Sequence, residues 1–179
     1  MPFSATNIND LLLFEPRLFE DERGYFYESF SQKEFEQATQ VNLPFIQDNH
    51  SFSKYGVLRG LHFQKPPFEQ AKLIKVVAGE IFDVAVDLRP HSPTYGKWEG
   101  FILSAENKKQ LYIPRGFAHG FVVLSASAEV LYKCDNYYAP QAEGGILYND
   151  PQLCIDWKID SKDIMISSKD AKLPLFEQK

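Results

Sequence analysis

Short apolar segments separated by turn signals recur through the middle of the chain, and this pattern constrains the fold more than any other feature. The segments are GVLRGLHFQ, KLIKVVAGEIFDVAVDLR, GKWEGFILS, QLYIPRGFAHGFVVLS and AEVLYKCDNYY. Several short strands at this spacing favour a sandwich or a barrel over βαβ units. The many Phe and Tyr residues agree, because ring side chains pack well on pleated surfaces. The sequence therefore predicts an all-β fold.

The segment from Lys72 to Arg89 has the clearest strand pattern. Two apolar runs meet at Ala78-Gly79-Glu80, and the second run alternates apolar side chains with Asp83, Ala85 and Asp87. A period of two is typical of a strand whose faces meet different surroundings, and a glycine between two such runs is a turn signal. We therefore expect an antiparallel hairpin here.

One helix is marked before this β-rich region. Ser31 and Glu34 form a capping box, and Phe30 can pack on Phe35 across it as a hydrophobic staple. The pattern predicts a short helix over Gln32–Thr39.

The chain has 179 residues, enough to bury a core without disulfides or a structural metal. It contains no internal repeat and no Gly, Ser or Pro-rich linker, so we expect one domain over residues 1–179. Near its end, Ser167 and Asp170 repeat the Ser-x-x-acid pattern, which predicts a second helix start or a capped turn.

Composition excludes several classes of protein. Cys134 and Cys154 have no CxxC or Cys/His spacing, which predicts free thiols rather than a zinc site or a disulfide framework. The N-terminus lacks the pattern of a secretory signal, and no apolar run is long enough to cross a membrane, so we expect a cytoplasmic protein without a membrane partner. A net charge of -5 offers no broad basic surface for nucleic acid.

His62 is the first candidate for chemistry. A lone histidine on a strand is more often a hydrogen-bonded structural residue than a ligand or a base. However, Gly56 precedes His62 by the spacing of G(x)5HxH, and Pro114 to His119 follows PxGxxH. These stretches resemble the two motifs of the cupin superfamily. The resemblance implies an antiparallel double-stranded β-helix, or jelly-roll barrel, which we expect to carry a few short peripheral helices.

The cupin motifs usually supply metal-binding histidines, but Gln64 replaces the second histidine of the first motif. An amide oxygen is a weak substitute for imidazole, so His62, His119 and Glu69 are the possible ligands that remain. We expect no metal. An imidazole without a metal, with an ordinary pKa of ~6.5, can instead accept a proton near neutral pH.

A closer resemblance covers the chain from about Pro16 to Asp170. The strings that carry it are DERGYFYESF, QDNHSFS, GVLRGLHFQ, AKLIKVVAGEIFDVAVDLRPHSPTYGKW, IPRGFAHGF and VLYKCDNYYAPQAEGGILYNDP. They are similar to the dTDP-4-dehydrorhamnose 3,5-epimerase family of cupin enzymes. The resemblance implies conversion of dTDP-4-dehydro-6-deoxy-D-glucose to dTDP-4-dehydro-β-L-rhamnose by proton transfer at C3 and C5, without a cofactor.

The same resemblance assigns four catalytic residues. It makes His62 the base and Asp170 the carboxylate that holds its ring, much as in a catalytic triad. Tyr132 becomes the acid on the opposite face of the sugar, and Lys72 the cation beside the C4 oxygen, where negative charge develops. Without the resemblance, residue type alone would favour a core position for Tyr132 and a surface position for Lys72.

Arg59 is the best candidate for the diphosphate, because a guanidinium offers a planar fork to phosphate oxygens. Strict alternation along a strand would point Arg59 and His62 to opposite faces, since they are three positions apart. If both serve one pocket, we expect a bulge or twist at Gly60.

The family pattern also matches substrate-binding positions, each of which could equally be an ordinary polar or packing residue. Among them, Phe26 and Tyr138 are the aromatic candidates for thymine. The segment Arg23–Glu28 is expected to reach the pocket of a second subunit, which implies a homodimer. The full set is Arg23, Phe26, Glu28, Gln47, Asn49, Arg59, His119, Tyr138, Glu143 and Lys169.

Other functions remain open at this point. A relative that inverts only C3 or only C5 could keep the same acid and base. A nucleotide-sugar-binding cupin without activity would need the pocket but not the opposed pair, which the retention of His62, Asp170 and Tyr132 disfavours. A metal-dependent dioxygenase is disfavoured by Gln64, and a ketoisomerase by the RGLHFQ and VLYKC strings.

Overall fold

The computed structural model describes residues 3–177, and these residues are mainly strands. The strands are β1 (Phe3–Ala5), β2 (Leu12–Phe14), β3 (Phe19–Asp21), β4 (Gly24–Phe26), β5 (Gln47–Lys54), β6 (Val57–Gln64), β7 (Lys72–Ala78), β8 (Glu80–Asp87), β9 (Trp98–Ser104), β10 (Gln110–Ile113), β11 (Phe117–Val123), β12 (Ser127–Cys134), β13 (Glu143–Gly145) and β14 (Met165–Ile166). The helices are α1 (Gln32–Thr39) and the 3-10 turns Pro140–Ala142, Ser161–Asp163 and Asp170–Lys172. None of the helices in residues 3–177 is long and apolar enough to span a membrane.

Two sheets contain most of the strands. The first sheet has the order β1-β2-β10-β7-β12-β5, and the second has the order β13-β6-β11-β8-β9, with β14 beside β6. All pairings in both sheets are antiparallel except that of β14 with β6. Most consecutive strands from β5 to β12 alternate between the sheets. This topology confirms the predicted all-β, cupin-type jelly-roll barrel with short peripheral helices.

The predicted hairpin over Lys72 to Arg89 is wrong. β7 pairs with β10 and β12, whereas β8 pairs with β9 and β11 in the other sheet. Gly79 makes the crossing with φ +74, and a Cβ there would lie 2.0 Å from the carbonyl oxygen of Ser127. The local pattern located the turn correctly, but it carried no information about which strands would pair.

β8 contributes to two of the apolar clusters that form the core. Between the sheets, Ile81 and Ala85 pack in one apolar cluster. On the outer side of the second sheet, Phe82 packs in another cluster that includes Trp157 and Phe176 of the C-terminal segment. Every residue of β8 after Glu80 is therefore buried, although the sequence alternates. A carboxylate on this strand must lie inside the protein.

The predicted helix is confirmed with its caps. Ser31 Oγ accepts a hydrogen bond from the backbone N–H of Glu34, and the rings of Phe30 and Phe35 lie 6.1 Å apart. The second Ser-x-x-acid pattern forms a capped turn: Ser167 Oγ accepts from the backbone N–H of Asp170 at 3.0 Å. This turn places the Asp170 carboxyl group next to β6.

Candidate active site

A cavity of about 540 Å³ lies between the sheets and is bordered by the C-terminal segment. Apolar side chains of β6, β11 and β14 form part of its wall. The charged, imidazole and phenol groups that line it are those of Arg59, His62, Lys72, His119, Tyr132, Lys169 and Asp170. The structure therefore brings together all four predicted catalytic residues and three of the predicted substrate-binding residues.

A bulge in β6 lets Arg59 and His62 share this cavity. His62 faces His119 on β11 and Arg59 faces Phe121, so β6 has one more residue than β11 over the same stretch. Gly60 lies in the bulge with φ +125, and a Cβ there would meet the Cα of Gly120 at 2.5 Å. Only glycine fits this position. The bulge expected at Gly60 is confirmed.

His62 is held by a buried carboxylate. Its Nε2 lies 2.8 Å from Asp170 Oδ1, and Asp170 is 5% exposed. Asp170 Oδ2 also accepts from the backbone N–H of Gly60 at 3.4 Å. In residues 3–177 nothing is hydrogen-bonded to Nδ1 of His62. If the Asp170 carboxylate keeps a proton on Nε2, Nδ1 has a free lone pair that can accept another.

Tyr132 reaches the cavity from the other sheet, because it lies on β12 whereas His62 lies on β6. Burial raises the pKa of the Tyr132 phenol, and the nearby Cys134 raises it further, while Arg59 opposes both effects. The phenol is consequently protonated near neutral pH, where it can donate a proton.

Lys72 begins β7 and places a cation in the same space. Burial lowers the pKa of its ammonium group, an effect opposed by Cys134, Asp83 and Glu143. Within the described part of the chain, no hydrogen bond or ion pair engages the ammonium group. A partly desolvated cation of this kind is suited to stabilise an oxyanion.

Two further cations border the cavity. Arg59 is oriented by β5, where Ser53 Oγ accepts from its Nε at 3.0 Å and the Phe52 carbonyl accepts from its Nη2 at 3.4 Å. Lys169 is exposed and forms an ion pair with Glu143 at 2.7 Å. The net negative protein thus has focused positive charge here, as a phosphate ligand requires.

Other predicted substrate-binding residues form a network beside the cavity. The hydroxyl group of Tyr138 donates to Glu143 Oε2 at 2.9 Å, and its backbone N–H donates to Gln47 Oε1 at 3.0 Å. Gln47 Nε2 donates in turn to Asn49 Oδ1 at 3.1 Å. Asn49 also borders a smaller cavity of about 260 Å³. Lys169, through its ion pair with Glu143, connects this network to the larger cavity.

The segment Arg23–Glu28 does not line the cavity of its own chain. Its strands β3 and β4 pair only with each other among residues 3–177. Phe26 is 70% exposed and Glu28 is exposed, while Arg23 forms an exposed ion pair with Asp21.

Gln64 has a different function from that of a metal ligand. Its Nε2 donates to the carbonyls of Phe68 and Tyr137, and its Oε1 accepts from the backbone N–H of Ala139 at 2.7 Å. The amide is fully used in holding two loops. Nε2 of His62 and Nε2 of His119 each face a carboxylate. Within residues 3–177, no group of three or more His, Cys, Asp or Glu side chains is arranged so that it could hold a metal ion.

Sequence reasoning missed Asp83. This carboxyl group is 0% exposed, and both of its oxygens lie 3.0 Å from Nε2 of His119. The available signal was an acidic residue in the middle of an apolar strand, which is costly to bury without a partner. The supporting hydroxyl group of Ser53 gave no distinctive sequence signal, whereas Ser167 was marked by its Ser-x-x-acid pattern with Asp170.

The jelly-roll fold defines the protein as cupin-type, and the imidazole and phenol groups that line its cavity from different sheets fit an epimerase. A family model described as dTDP-4-dehydrorhamnose 3,5-epimerase matches residues 5–178. The chain is 55% identical over 173 residues to the dTDP-4-dehydrorhamnose 3,5-epimerase of Salmonella typhimurium, covering 97% of this chain and 94% of the relative. It belongs to the dTDP-4-dehydrorhamnose 3,5-epimerase family, which confirms the resemblance found in the sequence.

Solved structures agree with this membership. The dTDP-4-dehydrorhamnose 3,5-epimerase of Elizabethkingia anophelis superposes with a TM-score of 0.96 at 55% identity, covering 98% of this chain and 96% of that chain. A dTDP-6-deoxy-D-glucose-3,5-epimerase of Legionella pneumophila in complex with dTDP-4-keto-L-rhamnose superposes with a TM-score of 0.93 at 52% identity. The match covers 97% of this chain and 92% of that chain.

Proposed function

We propose that this protein inverts C3 and C5 of dTDP-4-dehydro-6-deoxy-D-glucose and produces dTDP-4-dehydro-β-L-rhamnose. Family membership supports the activity, and the ligand of the Legionella pneumophila structure supports a nucleotide-sugar substrate. One observation carries the assignment of roles. The His62–Asp170 pair, with 2.8 Å between its atoms, and the Tyr132 phenol border one cavity from different sheets.

The chemistry begins with the ketone at C4, which makes the hydrogens at C3 and C5 acidic. His62 removes one of these as a proton, and the electron pair of the C–H bond moves into an enolate whose charge lies on the C4 oxygen. Lys72 stabilises that charge. The electron pair then returns to the carbon as Tyr132 donates a proton to the opposite face, and the configuration of that carbon is inverted.

The acid and base must be restored before the second inversion. The imidazolium of His62 loses its proton to solvent, and the phenolate of Tyr132 regains one. Hydrogen leaves and returns as a proton at each carbon, so the reaction has no net oxidation and needs no redox cofactor. Each inverted carbon consequently carries a hydrogen from solvent.

The remaining residues bind the nucleotide sugar in this proposal. Arg59 and Lys169 contact the diphosphate, and His119 contacts the sugar. Gln47, Asn49, Tyr138 and Glu143 lie along the nucleotide. The location of Arg59 and Lys169 at the cavity, and the hydrogen bonds that connect the others to it, support this arrangement.

We also propose that two chains form a dimer in which the segment Arg23–Glu28 completes the site of the partner. Phe26 and Arg23 are exposed and do not line the cavity of their own chain, which supports an intermolecular role. Mixing a His62→Ala chain with an Arg23→Ala chain tests it. One site of each mixed dimer then has both wild-type residues, and activity returns. If each chain forms its own site, the mixture has only the summed activity of the two variants. One domain over residues 1–179 and a cytoplasmic location remain predictions.

Incubation with dTDP-4-dehydro-6-deoxy-D-glucose in heavy water tests the reaction. NMR of the product is expected to show deuterium at both C3 and C5. Deuterium at one carbon alone would identify an enzyme that inverts only that carbon, and its absence from both would reduce the protein to a nucleotide-sugar-binding cupin.

A further inference from the structure

The cavity contains a second imidazole–carboxylate pair beside the first. His62 on β6 and His119 on β11 are direct partners in the strand register. Nε2 of His62 faces Asp170 at 2.8 Å, and Nε2 of His119 faces both oxygens of Asp83 at 3.0 Å. The proposed chemistry uses the first pair as a base and assigns nothing to Asp83.

The second pair has a different environment from the first. The His119 side chain is 9% exposed, compared with 32% for that of His62, and Asp83 is completely buried. Burial lowers the pKa of His119, and the positive charges of Lys72 and protonated His62 lower it further, while Asp83 opposes these effects. His119 is therefore a neutral ring with one proton. It accepts a second proton reluctantly, which makes it unsuited to act as the base.

The carboxylate determines which nitrogen carries that proton. An ionised carboxylate only accepts hydrogen bonds, so the nitrogen that faces Asp83 must be the donor. This is Nε2, and Nδ1 of His119 consequently has a lone pair.

Nδ1 of His119 is not completely buried, and its side chain lines the cavity. Within residues 3–177, this nitrogen has no hydrogen-bond partner. Over the same residues, the only completely buried side-chain nitrogen or oxygen atom that lacks a hydrogen bond is Ser51 Oγ. Nδ1 must therefore have exposed surface, and His119 lines the cavity. An unpaired acceptor on a side chain that lines a sugar site is suited to bind a hydroxyl group.

We propose that Asp83 is a positioning residue for the sugar: it keeps the proton of His119 on Nε2, and Nδ1 accepts a hydrogen bond from a sugar hydroxyl group. The inference rests on the proposed function, because it requires the sugar to occupy this cavity. It gives the two adjacent pairs different tasks. The His62–Asp170 pair moves protons, and the His119–Asp83 pair recognises a hydroxyl group.

Nitrogen-15 NMR of the wild-type protein tests the tautomer directly, with the His119 signals identified by their loss in His119→Gln. At neutral pH the expected result is a protonated Nε2 and an unprotonated Nδ1. Adding dTDP-glucose, which has a hydroxylated sugar, is expected to shift the Nδ1 signal, whereas dTDP alone leaves it in place. A proton on Nδ1, or the same response to both ligands, would overturn the inference.

Asp83→Asn provides a second measurement, because its amide group can donate to Nε2 and thereby favour the other tautomer. The affinity for dTDP-glucose is expected to fall about 10-fold, the order expected for one lost hydrogen bond, while the affinity for dTDP is unchanged. Equal loss for both ligands would indicate a structural role only, and no loss would remove Asp83 from recognition. If the variant does not fold, the wild-type spectra still decide.

Solvent exchange by the wild-type enzyme separates this inference from the proposed function. Deuterium incorporation at C3 and C5 together with a proton on Nδ1 would overturn the role of Asp83 and leave the epimerase standing. The expected tautomer and sugar response without any incorporation would contradict the epimerase and leave the recognition of the hydroxyl group standing.

Discussion

Tyr132 lies across the cavity from His62, with the phenol on β12 of one sheet and the imidazole on β6 of the other. In the proposed reaction, a sugar ring bound between them exposes one face to each group. The jelly roll creates this relationship by sending consecutive strands to opposite sheets. Two residues from distant parts of the chain can then address the two faces of one carbon.

Replacing Asp170 with Asn tests the support of the proposed base. The amide removes the negative charge that stabilises protonated His62, so kcat is expected to fall by about 100-fold or more with little change in KM. Asp156→Asn is a matched control, because Asp156 forms an exposed ion pair with Lys158. Steady-state kinetics of both variants give the comparison. Wild-type kcat in Asp170→Asn would show that the carboxylate does not act through His62.

The alkaline side of the pH profile should report Lys72. Burial lowers its pKa from 10.5, whereas burial raises that of Tyr132 from 10.0. The lowered pKa of Lys72 brings the loss of its ammonium proton closer to neutral pH, and kcat/KM is expected to fall as that proton is lost. In Lys72→Arg the cation persists to higher pH, so the remaining activity should decline at a higher pH than in the wild type. The same alkaline decline in both proteins would assign it to another group.

The bulge at Gly60 should be intolerant of any side chain. Gly60→Ala adds a methyl group at φ +125 against the backbone of Gly120 and His119, so the free energy of unfolding is expected to fall by about 3 kcal/mol or more, with loss of activity. Gly24→Ala is the matched control, since Gly24 also has φ +125 but no atom within 4 Å of an added Cβ. Its cost should be about 1–2 kcal/mol. Urea denaturation measures both, and equal losses would show that close approach to β11 is unimportant.

Chelation should leave activity unchanged. Gln64 is engaged with three backbone groups, and the Nε2 atoms of His62 and His119 face carboxylates, so no ready set of free ligands remains among them. Dialysis against a chelator followed by an activity assay and metal analysis provides the test. Stoichiometric iron whose removal abolishes activity would indicate a metal-dependent cupin instead.

Local signals were sufficient to predict some of these features from the sequence. The capping box at Ser31 marked α1, because a helix start is determined by residues three positions apart. The odd spacing of Arg59 and His62 required a bulge once both were assigned to one pocket. Family resemblance supplied the roles that residue types could not, as for Tyr132 and Lys72.

Relationships between distant strands could not be predicted in this way. β7 and β8 pair with other strands rather than with each other, and this pairing depends on contacts across the barrel. The sequence of the turn at Gly79 does not indicate which strands will pair. Asp83 was missed for the same reason. Its sequence neighbours show that it is buried, but only the register of β8 with β11 reveals that it faces His119.

The most direct test of the account is solvent exchange by two single variants in heavy water, with the recovered substrate and product both examined by NMR. His62→Ala is expected to incorporate no deuterium at C3 or C5. Tyr132→Phe is expected to incorporate deuterium without completing inversion, because the base still acts while the opposing acid is missing. Wild-type exchange in His62→Ala, or full inversion by Tyr132→Phe, would contradict the proposed pair.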